Sequence, residues 1–426
     1  MPRRRLTLAA YLGRRWRAIG AILVLLLGSL LVLAVTDRGH DPIWTTASGE
    51  VDQAALSPDG LAVYALARRA DAITGLQAHS GETGELLWVS EFNATRALLA
   101  AGPTGAAVAT DFPRAFLTFY GVDGSPRWRV PLEGNPVALR VEGERVALAL
   151  NAPNNPVLLF DGDLLIRTYR FPSPVRALDL QEGLLGTGGL AGEVIVLGPD
   201  HRELLSTKLN MSIRSLRLAQ DGSSLAVGGF GLTPTDPRGR VVLLDVGSPR
   251  PVRWEQETPV GVGLVDTDAA GLFVLAVEEA PPTATLHVYE GATGATLWTR
   301  LVRGSVARDD AGTSGGAALS PDGSVVAVST LRGDLVVFGT QDGDERWSFD
   351  SSGGAVVTFA QHDPRRLLFA GRLLENRPFD ALLLFSPEGE PLAQRAGLLA
   401  AGLVASAAVA LGLYVGLGLW RARRPY

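Results

Sequence analysis

The chain predicts an all-β fold, an eight-bladed β-propeller of four-stranded antiparallel blades, on three observations. A unit of about 40 residues recurs about eight times, tight-turn signals fall at fixed places inside it, and a tryptophan follows a turn glycine at constant spacing. The clearest copy runs from Gly315 to Ser352, where Ser320-Pro321-Asp322-Gly323 and Asp342-Gly343 mark turns between short apolar strands. The first copy keeps the order, with Ser57-Pro58-Asp59-Gly60, then Thr83-Gly84, then Trp88. The pairs Gly84 and Trp88, Gly124 and Trp128, Gly294 and Trp298, and Gly343 and Trp347 are all four residues apart.

Each feature has a physical reason. Glycine supplies the positive φ that a hairpin turn demands, and Asp or Ser beside it hydrogen-bonds the local backbone. A tryptophan at a fixed place in the last strand buries a large face against the neighbouring sheet. A lone four-stranded sheet cannot bury both its faces, so the sheets must stack, and stacking in a ring leaves only short edges. Units begin near Ala54, Ala97, Val137, Val175, Ile213, Val260, Gly316 and Ala355, which gives eight blades, with seven as the alternative. The fourth unit, around Leu184 to Ser206, has lost its tryptophan.

At these residues the chain resembles the WD-repeat and quinoprotein-like (PQQ-like) propeller repeat family over about residues 43–396. Ala78-His79-Ser80-Gly81-Glu82-Thr83-Gly84-Glu85-Leu86-Leu87-Trp88 is similar to the quinoprotein repeat A-x-D-x-x-T-G-x-x-x-W, departing at Ser80, and Glu290 to Trp298 follows its second half. The S-P-D-G turns resemble those of WD-type repeats. Such resemblance implies architecture more than activity, because propellers of this kind include enzymes, scaffolds and sensors.

Composition bounds the rest. Of 426 residues, 46% are hydrophobic and 19% charged, with 50 glycines and 26 prolines, which suits a chain of many short strands. No cysteine is present, so disulfides, thiolate zinc sites and cysteine nucleophiles are excluded. Lys208 is the only lysine among 39 basic residues, a bias that points to a GC-rich bacterial genome.

Two uncharged runs flank the repeats. Ala18 to Val35 would make about 27 Å of helix, and Ala396 to Trp420 about 37 Å, enough to cross a bilayer. Six arginines precede the first run, and Arg421, Arg423 and Arg424 follow the second, which puts both ends in the cytoplasm. A cleaved signal peptide is the alternative for the first run, but no A-x-A site follows it. The expected organisation is a cytoplasmic basic tail (1–17), a transmembrane helix (18–36), a propeller ectodomain (43–396), a second transmembrane helix (397–420) and a short basic tail (421–426). The chain is then a cell (inner) membrane protein with its propeller on the extracytoplasmic side. In the second span Ala405, Ala408, Gly412 and Gly416 recur at helical spacing and suit helix packing. Neither span holds a charge that would carry ions or protons. Residues 37–395 hold 30 basic against 44 acidic side chains, which disfavours nucleic acid as a partner.

Ring closure requires strands from both chain ends. Ile43-Trp44-Thr45-Thr46 reads as an outer strand without a blade of its own and is expected beside Ala381 to Phe385, with Leu392 to Arg395 as the competitor. That closure puts the turns after first and third strands on the membrane-proximal face. The longer connections Ala152 to Pro156, Phe230 to Arg238, Glu278 to Thr283, Arg303 to Ser314 and Leu374 to Phe379 then gather on the opposite face. Loops of variable length on a rigid ring are the usual place for recognition. The candidate partner-binding residues there are Phe230, Arg238, Arg303, Arg308, Asp309, Asp310, Asn376 and Arg377.

Chemistry is sparse. His40, His79, His201, His287 and His362 are scattered and never at metal-ligand spacing. Gly312-Thr313-Ser314-Gly315-Gly316 matches G-x-S-x-G in letters but precedes a strand, and Gly186 to Ala191 matches a dinucleotide fingerprint but reads as a hairpin turn before the strand Glu193 to Leu197. Asp161 with Asp163 and Asp342 with Asp344 read as turn residues rather than calcium ligands. No catalytic, metal or cofactor residue is therefore expected. The leading expectation is a non-catalytic scaffold or sensor that binds a protein partner or external ligand. A propeller enzyme or cofactor binder with a central-channel site is one alternative, and an accessory subunit of a membrane complex is another.

Overall fold

The computed structural model describes residues 42–387 apart from 70–71, 112–113, 234–237, 307–314, 332 and 373–380. Both predicted spans, and with them Ala405, Ala408, Gly412 and Gly416, lie outside the described residues. Among the described residues there is no helix, and hence none long and apolar enough to cross a membrane.

Eight four-stranded antiparallel sheets make the ring. Their innermost strands are Glu50–Leu56, Ala97–Gly102, Asn135–Glu142, Val175–Gln181, Ser212–Leu218, Val262–Thr267, Ala317–Leu319 and Gly354–Phe359. These define blades 1 to 8, and each begins close to where the repeat spacing places a unit. Blades 1 to 7 continue outward as simple meanders, so the turns after the first and third strands share one face of the ring. Blade 8 is completed by the amino-terminal strand. Trp44–Ala47 pairs antiparallel with Ala381–Phe385, Trp44 facing Leu384 and Ala47 facing Ala381. The expected closure holds, and both chain ends leave the propeller on the face that carries the first-strand and third-strand turns.

Those turns are built as the motifs imply. In blade 1 the Ser57 hydroxyl donates to Asp59 at 2.6 Å and accepts the Ala62 N–H at 2.9 Å. Ser320 repeats this in blade 7 with Asp322 at 2.7 Å and the Val325 N–H at 3.0 Å. Asp342 accepts the Asp344 N–H at 3.0 Å, which holds its carboxyl below the ordinary range and confirms a turn role.

The glycine and tryptophan serve different blades. Each turn glycine lies under the tryptophan of the preceding blade, not its own. Gly84 (φ +73°) lies under Trp44, Gly124 under Trp88, Gly294 under Trp254, and Gly343 (φ +66°) under Trp298, where an added Cβ would come within 2.7 Å of the indole. The same indoles donate across the seam, Trp44 to the Gly81 carbonyl at 3.1 Å, Trp88 to Val122 at 2.7 Å, Trp254 to Gly291 at 2.9 Å and Trp298 to Thr340 at 2.6 Å. Trp347 closes the series with the Pro387 carbonyl at 2.8 Å. Each bond satisfies an indole N–H, buried in all but the partly exposed Trp88, while the rings fill the gap between sheets.

Blades 3 and 4 depart from this device. Four residues after Gly162 the chain places Ile166, and in the next turn His201 takes the left-handed position with φ +67°. Tyr169, from the outer strand Leu164–Arg170, reaches His201 Nδ1 through its hydroxyl at 3.0 Å. Blade 4 is nonetheless complete, with Leu205 buried in its outer strand.

Two sequence expectations fail here. Gly186 to Gly189 lie in the strand Leu184–Gly189 instead of a hairpin turn, and an added Cβ on Gly188 would strike Ile213 of blade 5. Those glycines permit close approach of sheets. Glu278 to Thr283 is no long loop either, because Phe273–Ala280 and Thr283–Glu290 pair up to Ala280 and Thr283, leaving only Pro281 and Pro282 to turn.

A double-mutant cycle tests the seam. Trp298→Ala should cost about 3–5 kcal/mol. Gly343→Ala should cost about 2 kcal/mol beside Trp298, through contact and its left-handed backbone, but only about 1 kcal/mol in the Trp298→Ala background. Additive costs in urea unfolding would rule out the docking.

His79 supplies a pH test. It is buried, donates from Nδ1 to the Gly84 carbonyl at 3.2 Å, and burial holds its imidazole below the ordinary 6.5. The unfolded chain therefore takes up the proton first, so stability falls as pH drops through 6.5 towards the lower folded value. His79→Asn should flatten the decline of Tm between pH 7.5 and 5, and an unchanged slope would refute this assignment.

Candidate functional site

The centre of the ring is the first place where blades bring side chains together. In blades 1, 3, 4, 5, 6 and 8 the innermost strand carries a pairing irregularity, for example between Pro136 and Ala138 and between Val175 and Ala177. Two residues beyond it stand Ala55, Arg140, Asp179, Arg217, Asp266 and Thr358, and with Ala100 and Ala318 these line the channel. Four successive blades thus present Arg, Asp, Arg, Asp, while the other half of the ring is small.

The charges are joined. Arg140 Nε lies 3.1 Å from Asp179 Oδ1, Arg217 Nη1 lies 3.5 Å from the same oxygen, and Arg217 Nε lies 3.4 Å from Asp266 Oδ1. The carboxylates also reach across seams. Asp179 accepts the Leu218 N–H and Asp266 the Leu319 N–H, each at 2.9 Å. Gln53 and Ser215 do the same for Leu99 at 3.0 Å and Val265 at 3.1 Å. Innermost strands have no neighbour on their channel side, and these side chains satisfy edge N–H groups that water would otherwise have to reach. Asp179 drives the Arg217 guanidinium further up, whereas burial pushes the Asp266 carboxyl up against the opposing pull of Arg217.

Towards the face with the chain ends, Gln361 of blade 8 donates to Gln181 of blade 4 across the full width of the ring. Among the described residues, cavities of about 100 Å³ and about 50 Å³ open beside Arg140 and Asp179 and beside Asp266 and Asp268 respectively. Sites for drug-sized ligands run to roughly 300 Å³ and more. Among the described residues no three His, Cys, Asp or Glu side chains cluster as a metal site. Chemically, the arrangement compensates charge and ties blades together.

The loop face opposite the chain ends holds part of the predicted partner-binding set. Phe230 ends the strand Ser224–Phe230 in blade 5, half-buried, with the Arg214 guanidinium 5.2 Å from its ring centroid. Arg238 follows on the same hairpin and pairs with Glu257 at 3.3 Å, beside Arg240 with Glu255 at 2.7 Å and Glu257 at 3.0 Å. Arg303 ends the outer strand Thr296–Arg303 of blade 6 with its side chain exposed. These three therefore share one face of adjacent blades, while Arg308, Asp309, Asp310, Asn376 and Arg377 lie outside the described residues, as do residues 312–314 of the G-x-S-x-G match. In blade 6 His287 is no isolated histidine, since its Nε2 lies 3.2 Å from buried Glu278, which also accepts the Val260 N–H at 2.5 Å.

Sequence reasoning missed the channel charges, although a signal existed. In V-A-L-R-V (137–141), R-A-L-D-L (176–180), R-S-L-R-L (214–218) and G-L-V-D-T (263–267), a charge of alternating sign recurs at the fourth place of the strand segment.

Comparison with known proteins agrees with this architecture. The model of a family described as outer membrane protein assembly factor BamB, a PQQ-like repeat model, matches residues 282–373. Over those residues the chain is similar to the quinoprotein-like propeller repeats. Among solved structures, the propeller is similar to BamB from Moraxella catarrhalis (13% identity, 82% of this chain and 99% of that one, TM-score 0.59). It is also similar to the computationally designed Ika8 protein (16%, 80% and 98%, 0.58) and to Saccharomyces cerevisiae Sqt1 (10%, 82% and 99%, 0.60). At such identities the likeness is one of fold. No curated protein matches the chain.

Asp179 is the hub of the channel. Asp179→Ala removes the carboxylate that Arg140 and Arg217 share and the acceptor of the Leu218 N–H, and should cost about 3–5 kcal/mol. A cost below about 1 kcal/mol in denaturant titration would show that the network contributes little.

Proposed function

We propose that this protein is a non-catalytic, membrane-anchored extracytoplasmic propeller that serves as a protein-interaction scaffold. It is held in the cell (inner) membrane with both termini cytoplasmic. The observation that supports a reading without chemistry is the channel, the usual centre of a propeller enzyme, where Arg140, Asp179, Arg217 and Asp266 neutralise one another among the described residues. Polar groups already spent on each other and on backbone N–H groups have little left to offer a substrate.

Recognition then falls to the rim. Phe230, Arg238 and Arg303 on blades 5 and 6 combine an aromatic side chain with arginines, the residue types that dominate interface energetics. The match of residues 282–373 to a family described as an assembly factor supports a role in binding other proteins. Membrane anchoring rests on the two uncharged runs and their arginine flanks.

The full chain carrying Arg238→Glu and Arg303→Glu should lose its principal co-purifying protein from gently solubilised membranes by about tenfold or more. Its Tm should stay within about 2 °C, since both side chains are at the surface. The same proteins at the same yield would refute this face as the recognition surface.

A further inference from the structure

Exposed aliphatic side chains are distributed unevenly over the propeller. Among the described residues fifteen large aliphatic side chains are exposed, and twelve of them lie in first-strand or third-strand turns, at the first residues of outer strands, or just before Trp44. All these places belong to the face from which both chain ends depart. Leu232 alone lies on the opposite face, and Val89 and Leu301 sit further along outer strands. The twelve are also spread around the ring. Leu86 belongs to blade 1, Leu164 and Leu165 to blade 3, Val252 to blade 5, Leu272 to blade 6 and Ile43 to blade 8, with one more each on blades 2 and 4. Leu164 is 68% exposed and Leu272 59%.

We infer that this face is a lipid-docking face whose annulus of aliphatic side chains rests in the headgroup layer of the bilayer. The inference rests on the proposed anchoring and deepens it. A protein partner gathers its contacts into one buried centre, whereas a ring spread over seven of eight blades fits an extended planar surface. The tethers are short. Seven residues lie between Val35 and Ile43 and eight between Pro387 and Ala396, so neither can exceed about 30 Å even fully extended. A face that exposes leucines that close to lipid lowers its free energy by inserting them shallowly. The turn carboxylates Asp161, Asp200 and Asp342 on this face are paired with Arg145, Arg202 and Arg346, so it presents both signs of charge and fits zwitterionic headgroups.

The absence of cysteine makes the test clean. Leu86→Cys, Leu164→Cys, Leu272→Cys and, on the opposite face, Leu232→Cys are each labelled with an environment-sensitive fluorophore in the full chain. The chains are reconstituted in phosphatidylcholine vesicles with nitroxide lipids. The first three should be quenched at least about twofold more than Leu232→Cys. Carbonate extraction of the same vesicles reports anchoring separately. A chain that resists extraction but shows equal quenching at all four positions overturns the docking face and leaves the anchors. An extracted chain still quenched at the three positions upholds the face without anchors. Extraction together with equal quenching overturns both.

Discussion

A four-stranded sheet has two apolar faces and only one neighbour on each side to cover them, and the rest of this molecule follows from how successive sheets are held at a fixed spacing. Gly84, Gly124, Gly294 and Gly343 are the points of control. Each offers a flat, side-chain-free turn against which the indole of the preceding blade can lie, and the backbone carbonyl beside it takes the indole proton. Because the lock joins blade n to blade n + 1, it acts between units. The ring then needs one strand from the wrong end of the chain to complete the last link, as Trp44–Ala47 does.

The channel solves a different problem created by the same geometry. Where the sheets converge, the innermost strands expose edge N–H groups to a narrow space that water enters poorly. Asp179 and Asp266 accept those groups, but a carboxylate brought there must be neutralised, and Arg140 and Arg217 are interleaved to do so. Charge appears on four consecutive blades because neutralisation is pairwise and passes from one seam to the next. Blades 3 and 4, which lack the tryptophan lock, are among those four. The charged arc thus adds cross-links where Ile166 and His201 replace the indole and glycine.

Much of the architecture was legible because its determinants are local. A turn glycine four residues before a tryptophan, and a Ser-Pro-Asp-Gly turn, announce themselves within one unit. Trp44 could be recognised as an outer strand in search of a sheet because it keeps the outer-strand signature without the three strands that should precede it. The charged ring was not legible in the same way. Arg140, Asp179, Arg217 and Asp266 stand about 40 residues apart in strands that carry other polar residues, and only the strand irregularity brings them into one register. Glycine misled once. At Gly188 it marks the close approach of Ile213, a contact between blades that no window within one blade contains. Glu278 to Thr283 read as a loop because of its prolines, yet the strands on either side pair to the last residue before them.

The two faces of the disc differ in kind, and the difference has a single origin. Turns after first and third strands are short and repeat the same chemistry in most blades, because they carry the locks and must fit the next sheet. Connections after second and fourth strands touch no such lock, so their lengths and side chains are free to vary, as the hairpin from Phe230 to Arg238 and the strand end at Arg303 do. A repeated face presents the same kind of group around the whole perimeter and suits a partner without lateral detail. A varied face can present one particular cluster at one place, and specific recognition of a protein needs that asymmetry. The division between a repeated face and a varied face is therefore already implied by which turns must hold the ring together.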